Sequence, residues 1–426
     1  MIRLIASALL AFILTIEYVE SRSIQFPQQN CRTFLDFRGQ EVFSCAFDMF
    51  IGNPQQRQPI SFILSNPLSL HIANNMNFVF NSKCSIQNNC KYARHNLQYG
   101  QHFYQESIST SLQIIQTNYT NNLLEGKIIQ GDLDSEQFYL SRNDSPIELQ
   151  FISISNYTEK QYVGNGVFNL QNGNQNSIFL QGYLQQKFIS PLFQFDAGNN
   201  FERLRINYNF ARDSSLPVQK TYSDNIWDVQ IVGISLGGEN MEAMAHYKTF
   251  IIQTYVYSAI PKQIAKYLKN KYNEHFDNEA SRYVLSNCFQ CNCIKDLPNL
   301  EIFTAEYKIT IRIKEFTYTN ERGQCKINTS ESNLLLGIRQ ILSNNIIFDP
   351  LQNELQFPGA EQMLHPSITY FQIILIQSNV CIAILLALLI QYERLSTDLQ
   401  LETKQFDIKK YIELQNIIKK VKEQAK

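Results

Sequence analysis

This chain of 426 residues has no excess of charge of either sign: 37 Lys and Arg stand against 38 Asp and Glu, a formal net charge of -1. That balance excludes nucleic-acid binding driven by bulk charge. Tryptophan occurs once, beside 22 Tyr and 29 Phe. Histidine is also sparse. His71, His95, His102, His246, His275 and His365 show no metal-ligand spacing, so no metal or cofactor is expected. What the chain does have is apolar mass, 44% hydrophobic and 12% aromatic, enough for one large or two medium cores. A disordered chain and a fibrous repeat are thereby excluded. The frequent Asn and Gln are a compositional bias that carries no mechanism.

Both ends read as membrane-directed. Residues 1–22 carry Arg3 and then an apolar run from Leu4 to Ile16, too short to span a bilayer and suited to a signal peptide, with an uncleaved anchor as the alternative. Ile368 to Ile390 is long enough to cross about 30 Å of hydrocarbon. Gln372, Gln377, Ser378 and Asn379 dilute its first half, and an amphipathic helix packed on the body is the competing reading. The unbroken run Val380–Ile390 favours a transmembrane helix over 367–390. The tail, 391–426, carries eight Lys/Arg against six Asp/Glu, which suits the cytoplasmic side of a single-pass type I protein at the cell surface or in an endomembrane. Tyr411, Leu414, Ile418 and Val421 fall at heptad-like spacing, open to a partner helix, the inner leaflet or plain solvation.

Setting aside Cys381 in the apolar run, eight cysteines remain: Cys31, Cys45, Cys84, Cys90, Cys288, Cys291, Cys293 and Cys325. The oxidising side of a secretory membrane would pair them. Cys288, Cys291 and Cys293 lack a second C-x-x-C and a suitably spaced His, so disulfides are favoured over a metal site. Asn118, Asn156 and Asn328 stand in glycosylation sequons, and Pro146 compromises the one at Asn143.

Between residues 30 and 360 short apolar or alternating runs (Val42–Ile51, Ile60–Leu64, Ile108–Ile115, Trp227–Leu236, Tyr307–Ile313) are separated by turn residues, which predicts a mainly β protein. Helices are expected at Ser177–Gln186 and Pro261–Tyr272, at similar places in two halves of the chain, a hint of duplication.

Several segments in order resemble the pepsin-like aspartic peptidases. MFIGNPQQRQPISFILSNPLSLHI (49–72) resembles the Ile-Gly-x-Pro-x-Gln turn and strand that lead into the first catalytic Asp-Thr-Gly. Cys84–Cys90 resembles the small disulfide loop after it, and Tyr99-Gly100 the flap. VGNGVFNLQ (163–171) is similar to Asp-Gly-Ile-Leu-Gly-Leu, and SIFLQGYLQQKFISPLFQFD (177–196) to the helix and strand that close the first lobe. YSDNIWDVQIVGISLGGE (222–239), FIIQTYVYSAIP (250–261) and LLLGIRQILSNNIIFDPLQNELQF (334–357) follow the order of the second lobe. The resemblance implies a bilobal fold with pseudo-two-fold duplicated lobes, 30–190 and 191–362. It also implies a bridge from Cys291 or Cys293 to Cys325, which leaves Cys31–Cys45 by elimination.

The family's chemistry needs two aspartates sharing one proton, one to take a proton from water and one to donate to the scissile carbonyl. Laid on the two motifs, the acids become Ser65 in Ser65-Asn66-Pro67 and Gln253 in Gln253-Thr254-Tyr255. Neither a hydroxyl nor an amide serves as that base, and losing a general acid or base costs about 10² to 10⁴ in rate. The glycines are lost too: Pro67 fixes φ and removes an N–H, and Tyr255 adds a ring. Asn165 and Asn169 replace the family's Asp and Gly. Phe195-Asp196-Ala197-Gly198 is a lone near miss, and Gly233-Ile234-Ser235-Leu236-Gly237 matches G-x-S-x-G without the helix that motif needs. Only about twenty residues separate the apolar run from the Cys31–Cys45 region, shorter than the prosegment that the resemblance implies. The expectation is a catalytically inactive homologue that takes a peptide or protein against Tyr99, Gly100, Ser65, Thr254 and Tyr255. A closed scaffold and an active aspartic endopeptidase are the alternatives.

Overall fold

The computed structural model describes residues 21–26, 31–35, 41–64, 77–84, 103–122, 128–157, 165–197, 204–241, 249–253, 256–272, 275–276, 283–289, 291, 297–319, 323–331, 333–363, 408–417 and 419–420. The chain divides into two compact units, Met1–Met363 and Leu364–Lys426.

The first unit is mainly β, as its alternating pattern predicts. In Ile147–Tyr157 the side chains of Ile147, Leu149 and Phe151 are buried while Glu148 and Gln150 are exposed, the period of two that seats a strand on a core. Eight strands of the first half form one sheet, in the order 31–35, 41–51, 56–63, 166–169, 77–80, 147–157, 128–139, 113–122. The second half is built from smaller sheets of two to five strands. A six-stranded sheet draws on both halves: Arg22–Gln25, Leu204–Tyr208, Phe193–Ala197, Ile347–Asp349, Glu354–Gln356 and Gln219–Lys220.

One arrangement occurs twice. Gln56–Ile63 pairs antiparallel with Glu41–Ile51 and parallel with Gly166–Asn169, after which the chain enters helix α1 (Ile178–Leu184). Thr249–Ile252 pairs antiparallel with Asp228–Gln230 and parallel with Leu334–Leu336, which leads into helix α3 (Ile338–Ser343). The helix α2 (Lys262–Lys271) lies between, opening directly after Pro261. The counterpart of α1 is therefore α3, not α2 as helix position along the chain implies. Topology decides this, because each counterpart follows a strand lying parallel to the same central strand.

Ile108–Ile115 is not one strand. Glu106–Ile108 is a 3-10 turn and the strand is Gln113–Asn122. Trp227–Leu236 likewise breaks into Asp228–Gln230 and Gly233–Leu236. The single tryptophan packs where the halves share residues: Trp227 is fully buried, donates Nε1–H to the Leu170 carbonyl at 2.7 Å, and meets Phe348 edge-on, which stacks on Phe193 with centroids 4.9 Å apart. Gly52, at φ +82°, makes the turn after Ile51; a Cβ there would lie 2.7 Å from Ser109 Oγ.

Cys31–Cys45 staples two strands at directly paired positions. Of the two cysteines left open as partners for Cys325, the one bonded is Cys291, not Cys293. Cys84 and Cys288 are disulfide-bonded as well; Cys90 and Cys293 lie outside the described residues.

In the second unit residues 408–417 are helical. No helix among the described residues is long and apolar enough to cross a membrane. The segments expected to do so or to direct export, 367–390 and 1–22, lie outside the described residues.

Candidate functional site

Each central strand of the repeated arrangement is tied at its end to its parallel partner: the Leu170 N–H donates to Ile63 O at 2.7 Å, and the Gln253 N–H donates to Leu336 O at 3.0 Å. Gln253 is 7% exposed, and its side-chain Nε2 has no hydrogen-bond partner among the described residues. A buried amide nitrogen left unpaired costs about 1–3 kcal/mol. An amide cannot take a proton from water. It can donate to a carbonyl.

Ser65, Asn66, Pro67, Tyr99, Gly100, Thr254 and Tyr255 lie outside the described residues. Asn165 is buried and donates Nδ2–H to Gln58 Oε1 at 3.0 Å, while Asn169 Oδ1 accepts the Gln171 N–H at 2.9 Å; both stabilise their strand and its exit. Asp196 is ion-paired with Arg205 and is no free acid. Ser235 donates to Glu301 on a neighbouring strand, and the strand Glu239–Asn240 follows it in a hairpin. Asn118 is exposed and Asn156 half-buried. Asn328 is 6% exposed and spends its amide on Ser258 O, a place without room for a glycan.

The sequence reading missed a cluster of acids in the first half. Asp132, Asp134 and Glu136 alternate along Ile128–Tyr139 and so share one face of the sheet. Glu106 joins them from the 3-10 turn. Glu136, 1% exposed, accepts from Tyr104 Oη at 2.7 Å, Ser109 Oγ at 2.6 Å, Ser111 Oγ and the Gln137 N–H. Lys83 Nζ lies 2.9 Å from Glu106 Oε2 and 3.3 Å from Asp132 Oδ2. Asp134 is fully buried and neither oxygen has a partner among the described residues. Burial, then the charges of Glu106 and Asp132, push its pKa up to about 7 against the pull of Lys83. The legible signal was the alternation itself, three acids at every second position of Gly131-Asp132-Leu133-Asp134-Ser135-Glu136. Among the described residues no group of three or more His, Cys, Asp or Glu is arranged to hold a metal ion.

The sequence matches no family model and has no match among the curated proteins.

Proposed function

We propose that this chain is a membrane-anchored, pepsin-like aspartic-peptidase homologue whose cleft binds an extended peptide or protein segment without cutting it. The observation that carries the reading is Gln253, a buried amide whose Nε2 has no partner among the described residues, at the end of a central strand where the resemblance calls for a carboxylate. The twice-used strand and helix arrangement, and the sheet shared by the halves, support a bilobal pepsin-like architecture. In this reading the flap carries Tyr99 and Gly100. Residues 1–22 direct export, 367–390 span the membrane, and the disulfide-bonded unit faces the lumen or cell exterior.

An active endopeptidase needs one acid from each half. Asp132, Asp134, Glu136 and Glu106 all belong to the first half, which favours binding over cleavage. The test is to pan the full chain against an unbiased peptide library at acid and neutral pH, and to incubate it with the same pool. Enrichment of an extended motif without cleavage is expected. Cleavage at acid pH would establish the peptidase instead, and no enrichment at any pH would leave a closed scaffold.

A further inference from the structure

A groove of about 630 Å³ opens in the second half, lined by the outer face of Tyr307–Arg312, the 3-10 turn Ile313–Phe316 and α3. That volume is in the range of small-molecule sites. The lining is polar and its charge is lopsided: Arg312, Lys314 and Arg339 line it from three separate elements, against the single acid Glu315.

Local structure explains the convergence. Ile313 is buried, so its neighbours Arg312 and Lys314 are turned outward, and Thr310 continues the same face of the strand. Two of the cations are already held in place. Arg312 donates Nη2–H to Glu315 Oε1 at 2.9 Å, and the Arg339 guanidinium sits 4.8 Å from the centroid of the Tyr257 ring. Lys314 has no ion-pair partner among the described residues. The floor is rigid, because Gly359 packs on Asn344 at the end of α3 so closely that a Cβ would lie 2.7 Å from the Asn344 Cα, and its N–H donates to Asn344 O at 2.9 Å.

We propose that this groove binds a small, multiply charged oxyanion, a phosphate ester or a polycarboxylate. Three cations around one groove, one of them paired with Glu315, leave a local excess of positive charge that a bound anion would offset. Positioned guanidinium forks match both phosphate and carboxylate, and a site that holds its arginines before binding loses less side-chain freedom on doing so. The inference is independent of the cleft and of the peptidase resemblance.

The full chain would be titrated calorimetrically with pyrophosphate and, separately, with citrate at low ionic strength. Saturable binding of at least one is expected. Lys314→Ala, whose side chain is exposed, should weaken it roughly tenfold, and Lys314→Ala with Arg339→Ala should weaken it a further tenfold or more. Preference for pyrophosphate assigns a phosphate ester, and preference for citrate a polycarboxylate. Absence of binding to both anions, or equal binding by wild type and a double variant with an unchanged melting curve, would overturn the proposal. Should the double variant melt early, Lys314→Glu alone carries the test, and undiminished affinity there would overturn it equally.

Discussion

Asp134 and Glu136 stand two residues apart on one strand, face the same side of the sheet and are equally buried, yet Glu136 accepts four hydrogen bonds while Asp134 accepts none among the described residues. Burial without partners among the described residues pushes the pKa of Asp134 up. The hydroxyls of Tyr104, Ser109 and Ser111 compensate the charge of Glu136. Asp134 meets only the like charges of Glu106, Asp132 and Glu136, with Lys83 as the opposing cation.

Stability should therefore rise on mild acidification. The ordinary Asp value is 3.8 and that of native Asp134 is about 7. Between those pH values the native state holds a proton that the unfolded chain releases, so this group's contribution falls as pH climbs through the window and is flat above it. The full span corresponds to at most about 4 kcal/mol. Asp134→Asn cannot ionise and should flatten the pH profile of chemical denaturation while stabilising the protein at neutral pH. A variant profile parallel to wild type would refute the assignment.

Glu136 should behave in the opposite way. Glu136→Ala strands the Tyr104 hydroxyl, which is fully buried, and removes the clamp between the strand and residues 109–111. A loss of about 2–4 kcal/mol is expected from the orphaned donors and the vacated volume. Tyr104→Phe in the same background should recover part of it, because the hydroxyl no longer needs a partner. Additive losses in that double-mutant cycle would contradict the pairing.

Strands that alternate strictly were legible from the sequence, as were the two helices α1 and α2, because their periodicities are set locally. Ile108–Ile115 was misread, since its apolar residues are exposed on an edge: Ile114 is 59% and Ile115 49% exposed. The pairing of Cys325 with Cys291 was open, because sequence spacing says nothing about which of two near neighbours faces a strand. The acid cluster escaped because its meaning depends on burial, which alternation alone does not report. The amide side chain at Gln253 was visible in sequence, whereas its burial and the lack of a partner for its Nε2 among the described residues were not.

Close packing at α1 offers a test of the first half. Gly182 lies against the Phe188 ring, and an added Cβ would come within 2.2 Å of Phe188 Cε2. Gly182→Ala should cost about 1–3 kcal/mol in spite of alanine's better helix propensity. Phe188→Leu vacates the ring, so the double variant should lose less than the sum of the two single changes. Thermal denaturation of the three proteins measures this, and simple additivity would argue against the contact.

Gln253 separates a ligand group from a structural one. A residue retained for folding should destabilise the chain when replaced, whereas an amide with an unpaired, buried nitrogen costs stability and repays it only when a ligand arrives. Gln253→Met keeps the length and removes the unpaired nitrogen. It should stabilise the free protein by about 1 kcal/mol and weaken the selected peptide by roughly five- to tenfold. Under the proposed reading, Gln253→Asp, alone or with Ser65→Asp, should yield no peptidase, because Pro67, which has no amide N–H, and Tyr255 stand where the resemblance sets glycines. Lowered stability of Gln253→Met with unchanged peptide affinity would make Gln253 a packing residue, and peptidase activity in the double Asp variant would overturn the reading of the chain as a homologue that binds without cutting.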